Sequence, residues 1–224
     1  MASRIAALLG TGALTALAGA AMAQTPPIWA EAPSAADVAA AYPAKAKAAA
    51  VGGQVNLSCQ IEHRRPTLCA AIGEKPQGYG FGFAARQLAT RLVTPDGSLN
   101  GKEVRIPFTF DPGVLSGATT VARPIWVELP APSDFQAEFP QAANGVNDVR
   151  VVLACVLGAG GVPSNCTVEH EEPAGQGYGD GALAVAPKFR AAPWSHDGEP
   201  TVGAHVRLPI RFQLTPAKPR AAKP

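Results

Sequence analysis

The sequence predicts an α+β protein built from two tandem copies of one unit, and three observations carry that prediction. The chain matches itself at a shift of 97 residues. Hydrophobic periodicity reads helix, hairpin, helix, strand in each copy. The four cysteines fall as one pair per copy.

The shift of 97 lays Pro27-Ile28-Trp29 on Pro124-Ile125-Trp126, Asp37 on Asp134, Pro43 on Pro140 and Cys69 on Cys166. Pro76, Gly78, Gly80 and Gly82 fall on Pro173, Gly175, Gly177 and Gly179. Beyond Pro193 the shift becomes 102, because the second copy carries five extra residues near Trp194-Ser195-His196. Gly101, Pro107 and Phe110 then meet Gly203, Pro209 and Phe212. Self-similarity at a fixed offset marks a duplicated structural unit. The units are a first repeat at 24–117 and a second at 118–212, followed by a basic Pro/Ala/Lys tail at 213–224 read as disordered. Each repeat can bury a modest core and is small enough to gain from a covalent staple.

The elements follow in order. Ser34-Ala35-Ala36-Asp37 has the form of a capping box opening a short helix, and Pro43 suits the first position of another helical turn. Residues 53–61 alternate as a strand, and Thr67 to Ile72 form its partner after a turn at Glu62 to Pro66. Gly80 to Leu92 is helical, with Ala84, Ala85, Leu88, Ala89 and Leu92 on one side. Val104, Ile106, Phe108 and Phe110 alternate on a last strand, facing the core. The second repeat gives Val149 to Leu157, Val162 to Glu169, Gly179 to Phe189 and Ala204 to Phe212.

Four cysteines allow three pairings, and the hairpin selects one. With the turn centred near Arg64, Cys59 and Cys69 lie opposite each other across the two strands, within reach of a disulfide. The same reasoning joins Cys155 to Cys166. Spacings of ten and eleven do not resemble the close pairs of zinc or redox motifs.

Residues 1–23 combine Arg4, an apolar Ala/Leu/Gly stretch and Ala21-Met22-Ala23 before Gln24, the pattern of a secretory signal peptide cleaved after Ala23. Gly10, Gly12 and Gly19 and a predominance of Ala leave it short of the ~20 strongly apolar residues of a spanning helix. The expected mature chain is soluble and periplasmic, where disulfides persist. It holds 18 Lys and Arg against 17 Asp and Glu, a near-neutral balance that gives no electrostatic case for nucleic acid.

Gly78, Gly80 and Gly82 ahead of a helix raise the question of a phosphate loop. A dinucleotide loop follows a strand of a parallel βαβ unit, whereas this one follows an antiparallel hairpin, and no Lys-Ser or Lys-Thr pair is present. The glycines are read instead as letting the chain reverse into the helix and pack closely on the hairpin. No cofactor is expected.

The order of elements resembles the C-terminal domain of TonB-family energy transducers. The residues that carry the resemblance are Tyr42-Pro43 with Ala44 and Ala46, Gly53, Val55, Leu57 and Cys59, Glu74 and Pro76, Gly80-Phe81-Gly82, and Val104 to Phe110. The second repeat keeps Phe139-Pro140, Cys155, Cys166, Glu172-Pro173 less regularly, and Val206 to Phe212. The cysteine-bearing form looks like an exported bacterial subfamily. The resemblance implies a three-stranded antiparallel sheet with helices packed on one face, whose last strand pairs with an extended peptide from a membrane receptor. Energy transducers also carry an uncleaved membrane helix and a long Pro-rich linker, and here only Thr25 to Pro33 separates the cleavage site from the first helix. The implied role is protein or peptide binding without energy transduction, and no enzymatic activity.

Pro107 and Pro209 lie inside the last strands, and proline is tolerated in sheets mainly at an edge. The candidate partner-binding edges therefore run through Arg105, Pro107 and Thr109, and through Arg207, Pro209 and Arg211. An edge recruits partners by strand addition, while its proline also guards against unwanted pairing. The alternative is a structural or accessory envelope factor whose two units bind each other. A third reading, a small hydrolase, would use His196 or His170. Yet Ser195-His196-Asp197 is a run of neighbours, whereas triad members meet from separate elements. His63, His170, His196 and His205 have no metal spacing, so no metal is expected. Trp29 and Trp126 are read as packing residues.

Overall fold

The structure, a computed structural model, describes residues 28–138 and 148–213 of the chain. Residues 1–23, read above as a signal peptide, Phe139-Pro140 and the tail beyond Gln213 lie outside the described residues. The first repeat runs α1 (Ala35–Ala41), α2 (Ala44–Ala48), β1 (Gly53–Glu62), β2 (Arg65–Lys75), α3 (Phe81–Ala89) and β3 (Glu103–Phe110). The second runs β4 (Trp126–Glu128), α4 (Pro132–Glu138), β5 (Asp148–Leu157), β6 (Pro163–Glu172), α5 (Tyr178–Val185), β7 (Arg190–Ala191) and β8 (His205–Gln213).

The result is an α+β structure with three antiparallel sheets, of order β2-β1-β3, β4-β7 and β6-β5-β8. The two three-stranded sheets are built alike. Helices α1 and α4 each span seven residues at the shift of 97, and β3 and β8 begin 102 apart. Both hairpins end in a cis proline, Pro76 and Pro173.

Local chemistry explains the element ends. Ser34 Oγ accepts from Asp37 N at 3.2 Å while Asp37 Oδ2 accepts from Ser34 N at 2.9 Å, so the capping box satisfies two otherwise orphaned donors of α1. α3 stops at Ala89, short of the expected Leu92, because Arg91 N and Leu92 N bond back three residues, to Leu88 O and Ala89 O. That tightened turn frees Val93 to pair with Glu31.

Alternation on β1 sends Val55, Leu57, Cys59 and Ile61 into one buried cluster with Val104, Ile106, Phe108 and Phe110 of β3 and with Ala84, Ala85 and Leu88 of α3. Trp29 belongs to this core. A second core gathers Val149, Val151, Leu153 and Leu157 with Val185, Val206, Leu208 and Ile210, and Trp126 packs against it. Trp194 comes from the second repeat in sequence but joins the core of the first.

Both disulfides are formed, Cys59–Cys69 and Cys155–Cys166. The cysteines do not face each other in an unbroken ladder. A bulge falls between Ser58 and Gln60 in the first hairpin and between Ala154 and Val156 in the second, with Leu68 and Asn165 at φ of 47° and 49°. An extra residue therefore sits beside each cysteine pair, a device that symmetric counting from the turn overlooks.

Candidate partner-binding edges and the junction between repeats

The glycine loops hold a carboxylate of their own where a phosphate would sit. Glu74 Oε1 accepts from Phe81 N, the first residue of α3, at 3.1 Å. In the second repeat Glu171 Oε1 accepts from Gln176 N at 3.2 Å and Tyr178 N at 3.0 Å. Each carboxylate thus meets the positive end of a helix, the position an anion ligand uses in a phosphate loop. Glu171, one residue before the Glu172 paired with Pro173 in the sequence reading, is the counterpart of Glu74. Gly80 and Gly177 reverse the chain at φ of 90° and 79°. At Gly82 an added Cβ would lie 2.8 Å from Glu74 Oε2, so glycine lets the helix close onto β2.

β3 and β8 are the edges of their sheets, as the prolines imply. The register between β1 and β3 is unbroken, so backbone groups alternate in direction along β3. Thr109 N points away from β1, since it donates to Gly198 O at 2.8 Å. Arg105 and Pro107 share that outward direction. Pro107 therefore costs the sheet no ladder bond. By the same parity His205, Arg207, Pro209 and Arg211 point outward on β8, whose register with β5 is also unbroken.

The two edges have different surroundings. Along β3 the inserted segment 194–198 of the second repeat lies against the strand. Trp194 Nε1 donates to Pro107 O at 3.3 Å, and Thr109 Oγ1 donates to Asp197 O at 2.6 Å. The Trp194 ring packs edge-on against Phe108 with centroids 5.1 Å apart. Gly198 holds φ of 80° and its Cα meets the Pro107 carbonyl so closely that any Cβ would collide with it. Asp197 is tied in turn to Arg123, with Nε to Oδ2 at 2.9 Å, and Ser195 Oγ accepts from Asp197 N and Glu199 N.

On β8 only the start of the edge is covered among the described residues. His205 N donates to Thr119 O and Val121 N donates to His205 O, a short parallel bridge made by the linker between repeats. Beyond it, β5 is the only strand beside β8 among the described residues. The side chains there turn to the exposed sheet face, where Arg207 forms a two-pronged bond with Glu169 at 2.7 and 2.6 Å and Arg211 lies 3.5 Å from Asp148.

An open cleft of about 470 Å³ lies at the junction, lined among others by Gln54, Lys75, Thr109, Asp111 and Glu199. Burial, then the charges of Asp197 and Asp111, push the Glu199 carboxyl above its usual range. The bond to Arg123 holds Asp197 below its own.

The candidate triad does not assemble. Ser195 is buried with its hydroxyl committed to the loop backbone, His196 is exposed, and Asp197 faces Arg123. His170 stands on the exposed side of β6, 3.9 Å from Glu172. Among the described residues no three His, Cys, Asp or Glu side chains are grouped to hold a metal ion, and no helix is long and apolar enough to cross a membrane. In comparisons with protein-family models, curated proteins and solved structures, nothing matches this chain.

Proposed function

We propose that the chain is a periplasmic, non-enzymatic binding module of two TonB-C-terminal-like units, which recruits an extended segment of a membrane protein or peptide along β8. The observation that carries this reading is the difference between the two edges. β3 already holds the turn at 194–198, by the Thr109 N to Gly198 O bond and a tryptophan anchor on Pro107 O, whereas β8 offers outward backbone groups at Arg207, Pro209 and Arg211 with no strand on that side among the described residues. Strand addition takes affinity from such main-chain groups and specificity from side-chain pockets. Two disulfides fit an oxidising compartment, which supports export.

A second reading has a specific observation in its favour. The docking of 194–198 on β3 is the self-contained contact expected of a structural or accessory envelope factor. Affinity capture from crosslinked envelope extract separates the two. Wild-type protein is expected to capture a reproducible membrane or peptide partner, and Arg207→Pro with Arg211→Pro, which removes two outward donors, is expected to lose it. Capture of no other protein by the wild type would overturn the recruitment reading and favour the structural one.

A further inference from the structure

The repeats also differ on the sheet edges that face away from the junction. β2 and β6 lie opposite β3 and β8 across their sheets. On the first repeat three apolar side chains stand exposed there, Leu68 at 78 %, Ile72 at 51 % and Phe83 at 68 %. Leu68 and Ile72 are the residues bulged out of the β1–β2 ladder. Phe83 follows Gly82, where an added Cβ would lie 3.2 Å from Ala71 Cβ, so it stands beside the Ile72 stretch.

The equivalent positions in the second repeat are Asn165, Glu169 and Asp180. The same strands, bulges and helix form with these polar residues, so the fold does not require the apolar ones. Leu68 even takes a left-handed φ of 47°, which asparagine tolerates better than leucine. Three exposed apolar groups with no folding return, one of them at a strained position, are what a docking surface carries.

Charge names the occupant. Residues 62–91 hold five Lys and Arg against two Glu, and the equivalent stretch 159–188 one Lys against four Asp and Glu; setting aside Arg91, Glu169 and Lys188, which pair with Asp37, Arg207 and Asp134 outside the stretches, leaves balances of +2 and −3. Arg65 and Arg86 are exposed on the basic face, and Glu172 and Asp180 on the acidic one. Val168, 39 % exposed, supplies an apolar spot among these carboxylates.

We propose that the β2/α3 face of one molecule docks on the β6/α5 face of a second molecule of this chain, head to tail. Two bulges in each strand interrupt the regular ladder, so the contact forms through side chains rather than by strand addition. Opposite charges around an apolar centre fix its register. Such a heterologous contact repeats into open chains or closes into rings. It uses neither β3 nor β8, and it stands whether or not β8 recruits a partner.

Sedimentation of the purified, oxidised chain over a concentration series tests this. The wild type is expected to assemble at low salt and to weaken as salt is added, because exposed charges are screened. Arg65→Glu with Arg86→Glu, and separately Glu172→Lys with Asp180→Lys, are each expected to weaken assembly more than about tenfold. Phe83→Asp is expected to weaken it too, with the thermal midpoint unchanged. A chain carrying all four charge reversals is expected to assemble again, since its faces remain complementary. A monomeric wild type at low salt, a doubly reversed variant that still assembles alone, or a fourfold variant that stays monomeric would each overturn the proposal.

Discussion

The outer edges of β3 and β8 are one strand made twice, with proline at the same position, yet they meet different surroundings. Five extra residues in the second repeat lengthen the loop before β8, and that loop reaches the edge of β3 rather than its own strand. Among the described residues the insertion thus covers Pro107 and Thr109 on β3, while the equivalent Pro209 and Arg211 on β8 have no segment laid against them. Proline suits both edges, and at these positions the loop is what distinguishes their surroundings.

The largest expected effect that would break this comparison is at Trp194. It is buried in the first repeat's core although its chain position belongs to the second. Trp194→Ala is expected to cost about 3–5 kcal/mol in chemical denaturation, by loss of buried area and the cavity left behind. A loss below about 1 kcal/mol would mean that the loop contributes little to the first repeat.

The disulfides sharpen the comparison from the other side, because here the repeats are alike. They close loops of ten and eleven residues, so replacing either pair by serine is expected to cost about 3 kcal/mol by loop-closure entropy. Similar losses in the two double variants would show that the hairpin staples do not distinguish the repeats. Glu74→Ala and Glu171→Ala follow at about 1 kcal/mol each, the usual worth of a helix N-terminal acceptor. Thermal midpoints of the two variants should fall together.

The smallest expected effect is the pH dependence of the junction. The Glu199 carboxyl titrates above its ordinary 4.5 in the folded chain, so its ionised form opposes folding and stability rises as pH falls toward that value. Asp197 titrates below its ordinary 3.8, so its contribution is present above that value and is lost as pH falls further. Stability from the junction should therefore peak between 3.8 and 4.5. Glu199→Gln should flatten the rise above pH 4.5 and leave the acid loss intact.

Much of the fold was legible because its signals are local. Period-two alternation gave the strands, Ser34 and Asp37 opened α1, and Pro107 and Pro209 marked the edge strands. Cysteine spacing around a turn paired the disulfides. The bulges at Leu68 and Asn165 were missed because no turn residue announces them in the first repeat, where leucine takes the left-handed conformation. The sequence reading matched Glu172 to the repeat, although the shift of 97 itself lays Glu74 on Glu171, the carboxylate that reaches the helix end. The seat of 194–198 on β3 was beyond reach for another reason. It joins residues 87 and 88 apart in sequence, a contact no local pattern encodes.

The most direct test of the closed and open edges is amide hydrogen exchange at two equivalent positions, Thr109 and Arg211. Both amides point away from the central strand, and among the described residues Thr109 has an acceptor, the Gly198 carbonyl, while none is seen for Arg211. The expected result is slow exchange at Thr109, lost in Trp194→Ala, beside fast exchange at Arg211. Equal protection of the two amides, or a Thr109 amide that exchanges freely in the wild type, would contradict the account.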